Sequence, residues 1–149
     1  MLTIILIVLL LLLLFGGFGY SGYRYIMETM QANARGLAKQ IAEIGRFQLI
    51  GEGEEQLPLV AFQLTEAKGY DEFDVASQLA AERGWMLPAY TLPPDAEHVT
   101  IMRALVKLTL GHTLASTLAD DIAAACETLD HKGGLHPIDR KRVKTGTGY

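Results

Sequence analysis

A chain of 149 residues, 50% hydrophobic and 20% charged, is long enough for one domain with its own core and too apolar to remain disordered. A formal net charge of −4 excludes a general nucleic-acid binder, and the basic cluster Lys132, Arg140, Lys141, Arg142 and Lys144 is a local feature of the C-terminal end. Cys126 is the single cysteine, which excludes a disulfide framework and any CxxC metal or redox motif and fits a reducing compartment.

Residues 2–15 (LTIILIVLLLLLLF) carry no charge and one weakly polar residue, Thr3. As a helix this run is about 21 Å long, and continuation through Gly16, Gly17, Phe18, Gly19 and Tyr20 brings it close to the roughly 30 Å of a bilayer's hydrocarbon core. Tyr20, Tyr23 and Tyr25 around Arg24 are placed as an interfacial belt with a positive flank. The pattern predicts a hydrophobic, transmembrane segment over residues 1–20, with the C-terminal domain in the cytosol. No Lys or Arg precedes the run and no A-x-A-like site follows it, so a cleaved secretory signal does not fit. Were the stretch instead an accident of the gene start, the domain would be cytoplasmic.

Tyr23, Ile26, Met27, Met30, Ala34, Leu37, Ile41 and Ile44 recur at steps of three and four, which predicts a long amphipathic helix over 21–45 stopped by Gly45. Two short apolar runs, Phe47 to Ile50 and Leu57 to Leu64, flank the turn-prone Gly51-Glu52-Gly53-Glu54-Glu55 and read as a β-hairpin. Asp71 is a suitable N-cap for a helix bearing Phe73, Val75, Ala76, Leu79 and Ala80, with Gly84 just past its end. Trp85 to Leu92 reads as a strand, Pro93-Pro94-Asp95 as a turn, and His98 to Val106 as a further strand. After Gly111, Thr113 is the expected cap of a last helix whose stripe is Leu114, Leu118, Ile122, Ala125 and Leu129. Residues 132–149 have no apolar period and read as a flexible basic tail.

The order helix, β, β, α, β, β, α predicts an α+β domain over 46–131: a three- to four-stranded antiparallel sheet with helices on one face. Within it Arg103 stands out as one cation in an apolar strand pattern, sharing a strand face with Val99, Ile101 and Leu105. A desolvated guanidinium requires an anion, so the residue is a candidate carboxylate site; the plainer alternative is an edge ion pair with Glu97 or Asp95. His98, His112, His131 and His136 with Cys126 match no metal-ligand spacing, so no metal is expected. Cys126, on an apolar helical face, reads as a core thiol, and Trp85 and Tyr90 as core or interface aromatics.

The block Arg83-Gly84-Trp85-Met86-Leu87-Pro88-Ala89-Tyr90-Thr91-Leu92-Pro93-Pro94-Asp95-Ala96-Glu97-His98, continuing to Arg103, resembles the small C-terminal domain of glutamate decarboxylases. So do Gly22-Tyr23, Ile26-Met27-Glu28, Ala32-Asn33-Ala34-Arg35, Gly45-Arg46-Phe47 and Leu57-Pro58-Leu59-Val60-Ala61-Phe62, from about Ser21 to the early 130s. The resemblance implies the small domain of a fold-type I, pyridoxal-phosphate-dependent enzyme, with Arg103 clamping the substrate α-carboxylate. It implies a parent reaction of L-glutamate to 4-aminobutyrate and CO2.

It also implies that the cofactor domain, with its Schiff-base lysine, would precede Ser21, where this chain holds only the leucine-rich segment. The chain is therefore expected to be a truncated decarboxylase, inactive alone, not binding pyridoxal phosphate by itself, and completed by a large domain or a homo-oligomer. His131-Lys132 imitates the family's cofactor-bearing dipeptide, but before Gly133-Gly134 in a polar stretch it reads as an exposed lysine. A rival expectation is a membrane-tethered α+β binding or regulatory module without enzymatic activity.

Overall fold

The computed structural model describes residues 2–51, 57–66 and 69–133, and all of their side chains except those of residues 2 and 12–19. The basic tail beyond Gly133 lies outside the described residues. Helix α1 runs unbroken over Leu2–Glu43, so the hydrophobic and linking helices expected separately are one element. Ala34, Leu37 and Ile41 are buried, at the spacing that returns each to the same face. Gly45 ends the helix with φ +73, a left-handed conformation that costs a glycine nothing.

Two expectations for α1 need correction. Tyr23 and Ile26 are 63% and 38% exposed, so the predicted stripe packs only in its C-terminal part, because the domain is not long enough to cover the whole helix. The transmembrane helix is not found: among the described residues no helix is long and apolar enough to cross a membrane.

Strands β1 (Phe47–Leu49), β2 (Leu59–Leu64), β3 (Ala89–Thr91) and β4 (Thr100–Leu105) form one antiparallel sheet in the order β1-β2-β4-β3. β1 and β2 pair with Phe47 opposite Leu64 and Leu49 opposite Phe62, as the hairpin pattern predicts. β4 lies between β2 and β3, with Val60 opposite Ala104, Phe62 opposite Met102, and Met102 opposite Ala89. β3 is much shorter than the predicted Trp85–Leu92 strand. Pro88 and Pro93 bracket it, and proline cannot donate to a ladder.

Helix α2 (Glu72–Arg83) opens on a capping box: the Asp71 carboxylate accepts from the Asp74 N–H at 3.1 Å while the Asp74 carboxylate accepts from the Asp71 N–H at 3.1 Å. Gly84, left-handed at φ +72, closes it. Helix α3 (His112–Lys132) starts two residues earlier than expected, with Gly111 rather than Thr113 as N-cap and no side-chain cap. Thr113 is thus inside the first turn, because the Leu110 N–H to Lys107 carbonyl turn already delivers Gly111 extended. Leu118, Ile122, Ala125 and Leu129 are buried as predicted, whereas Leu114 is 43% exposed.

The three helices and one sheet face enclose a single core in which Phe62, Leu37, Ile41, Leu79, Met102 and Ile122 have no exposed surface. Phe47 and Phe62 meet edge to face with ring centroids 5.2 Å apart. The Trp85 indole N–H donates to Asp121 at 2.7 Å and Arg83 pairs with the same carboxylate, tying the exit of α2 to α3. Among the described residues no helix covers the opposite sheet face.

Candidate functional site

Arg103 lies on that uncovered face. β4 alternates, so Met102 and Ala104 point into the core together with Val106 beyond the strand, while Arg103 and Leu105 are exposed. Arg103 shares its strand face with Ile101 and Leu105 as the alternation predicts, but that face is not the one turned to the core. Ile101, on the Arg103 side, is 5% exposed but stands outside the core cluster. Both alternating sets of β4 are apolar, and the set opposite Val60 and Phe62 is the one that is buried.

Across β4, Ala61 sits opposite Arg103, and the Arg103 N–H donates to the Pro88 carbonyl at 3.2 Å. Leu59 faces Leu105, which is 56% exposed. The guanidinium carbon lies 5.5 Å from the centre of the Tyr90 ring, a cation–π distance. The expected edge pairing with Glu97 or Asp95 does not form: no carboxylate among the described residues is paired with Arg103. Tyr90, read from sequence as a core or interface aromatic, is instead the residue against which the arginine rests. A guanidinium seated on a ring and exposed on this sheet face can receive a carboxylate through two parallel N–H donors.

The other candidates fall out of the site. Lys132 is exposed at the end of α3 and pairs with Glu82 at 3.6 Å. Lys39 and Lys107 are also exposed, so no described lysine is enclosed where a cofactor imine could be held. The described residues therefore do not fit, as a self-contained site, the pyridoxal phosphate that the sequence resemblance implies. They include no group of His, Cys, Asp or Glu able to hold a metal ion, and His136 lies outside them.

A polar cluster that sequence reasoning did not assemble joins β1 to α3. Arg46 donates to Asp130 and, at 3.2 Å, to the Tyr70 hydroxyl, beside a pocket of about 280 Å³ lined by Gly45, Arg46, Leu64, Thr65, Glu66 and Tyr70. The hydrogen bond to Asp130 holds the Arg46 proton more tightly than usual. Burial pushes the Tyr70 phenol up to about 12 and the Cys126 thiol up to about 11. Cys126 is thus the inert core thiol expected of it. Only the i, i+4 spacing of Cys126 and Asp130 on α3 hinted at this cluster.

Because both folded values lie above the ordinary 10.0 for tyrosine and 9.0 for cysteine, the unfolded chain releases these protons first as pH rises. The associated stability is complete below pH ~9 and is lost towards pH ~12. We expect the urea midpoint to fall across that window and Tyr70→Phe to flatten the fall. A midpoint equally steep in Tyr70→Phe would separate Tyr70 from the effect.

Comparison with known proteins places this geometry among relatives. Glutamate decarboxylase of Solanum lycopersicum is 35% identical over 125 residues, 84% of this chain and 24% of the relative. That of Petunia hybrida is 39% identical over 112 residues, 75% of this chain and 22% of the relative. The solved structure of Lactobacillus brevis glutamate decarboxylase superposes with a TM-score of 0.71 at 34% identity, over 82% of this chain and 27% of that one. No family model matches. The chain spans about a quarter of the length of the proteins it resembles.

Proposed function

We propose that this chain, a homologue of the C-terminal part of glutamate decarboxylases, supplies the substrate-orienting half of a decarboxylase active site. The cofactor-bearing half would come from a complementing large domain. The observation that carries this is the position of Arg103: central in the sheet, on the face without helices, seated on Tyr90 and unpaired with any described carboxylate.

Arg103 would bind the α-carboxylate of L-glutamate, its two donors fixing the planar group in distance and in rotation. That choice of rotation would select which bond to Cα stands perpendicular to the cofactor ring. Pyridoxal phosphate, bound by the partner domain, would supply the electron sink for loss of CO2 and formation of 4-aminobutyrate. Beside Arg103 the exposed Leu105 gives the same face apolar surface to bury against that domain.

Alone, the chain is expected to be inactive. Purified protein incubated with pyridoxal phosphate and L-glutamate should release no CO2, and borohydride should trap no cofactor on a lysine. Trapped cofactor accompanied by CO2 release would overturn the division of labour proposed here.

A further inference from the structure

The first part of α1 is apolar on every side. Eight consecutive residues, Ile4 to Leu11, are each between 46% and 63% exposed. At 100° per residue, eight positions go round the helix axis more than twice, so no polar stripe is left to face water. A second copy of the chain packing alongside would cover one seam, as in a coiled coil, and leave the remaining azimuths wet. A helix hydrophobic all round needs surroundings that are apolar all round.

The next described side chains change character abruptly. Tyr20, Tyr23 and Tyr25 are 68%, 63% and 71% exposed, and Arg24 among them pairs with Glu28 at 3.0 Å. Tyrosine, with an apolar ring and a polar tip, is the side chain that collects where hydrocarbon meets water. Burial in the domain core begins only at Ala34, about 14 Å further along the helix from Tyr25.

We propose that residues 3–11 immerse in the hydrocarbon of a phospholipid bilayer, with the tyrosines at its boundary and the folded domain carried clear of the surface. From Tyr20 to Thr3 the helix advances about 26 Å, short of the hydrocarbon thickness of about 30 Å. Because zwitterionic lipid suffices for a purely apolar contact, binding should not depend on anionic headgroups. This surface lies at the far end of α1 from Arg103, so the proposal stands or falls independently of the decarboxylase role.

The full chain, purified in detergent and exchanged into phosphatidylcholine vesicles, tests it by flotation through a density gradient. Most of the protein should float and resist an alkaline carbonate wash. Ile5→Asp combined with Leu9→Asp should move at least ten times as much protein to the bottom fraction with its circular dichroism intact, since neither residue touches the core. Arg103→Ala should float as the unaltered chain does. Wild-type protein left at the bottom, washed off by carbonate, or held as a discrete oligomer that ignores vesicles would overturn the proposal, the last outcome pointing to a protein partner. Flotation undiminished by the double substitution would overturn it equally.

Discussion

In an enzyme reconstituted from this chain and a cofactor-bearing large domain, Arg103→Ala is expected to lower kcat/KM for L-glutamate by on the order of 100-fold. A charge-assisted hydrogen bond contributes about 1.5–3 kcal/mol, and a bidentate pair shielded by a docked domain falls at the upper end. Arg103→Lys keeps the charge but loses the planar fork, and should recover only about a tenth of the lost activity, because a point charge fixes distance without rotation. If the role is orientation, kcat should fall along with the rise in KM. The isolated domain should unfold at nearly the same urea concentration in all three forms, since Arg103 is exposed and outside the core. An equal loss of stability would instead make Arg103 a structural residue.

Phe62→Ala should have the largest effect on folding. Its ring has no exposed surface, stands edge to face with Phe47, and belongs to the strand that joins the β1 hairpin to β4. Removing such a side chain costs about 3–5 kcal/mol, from lost transfer energy and the cavity left behind. A domain of this size has only about 5–15 kcal/mol to lose, so the variant should be marginally folded at 37 °C. Phe62→Leu, which keeps most of the volume, should cost less than half as much. Urea denaturation followed by tryptophan fluorescence of Trp85 gives both values. A loss below about 1 kcal/mol for Phe62→Ala would mean the strand is not packed as described.

Much of the fold was legible because local chemistry and global packing agree. Asp71 and Gly84 bound α2 as N-cap and C-cap, Gly45 stops α1, and the Leu118, Ile122, Ala125, Leu129 stripe is the buried face of α3. The face of β4 was not legible. Val99, Ile101 and Leu105 form as good an apolar alternation as Met102, Ala104 and Val106, and only pairing with Val60 and Phe62 decides between them. Periodicity sees one strand; burial depends on its neighbour.

Arg103 was visible as a lone cation in an apolar pattern, but its partner was not. Tyr90 reaches it through a register set by the turn between β3 and β4, where Asp95 adopts φ +80, and no spacing rule specifies that register. The Arg46 and Asp130 pair was hidden for the same reason, its members being 84 positions apart. For α1, hydropathy registered how apolar the N-terminal run is, while the extent of its packing was set by the reach of the domain, which the helix pattern alone does not encode.

The most direct measurement mixes the purified chain with the cofactor-bearing segment of a glutamate decarboxylase relative, loaded with pyridoxal phosphate, and follows CO2 release from L-glutamate alongside co-elution on a sizing column. Each part alone should be silent, and the mixture should co-elute and release CO2 with the wild-type arginine but about 100-fold less efficiently with Arg103→Ala. Parts that fail to assemble, or an active mixture indifferent to the arginine, would contradict the claim that this sheet face completes the site.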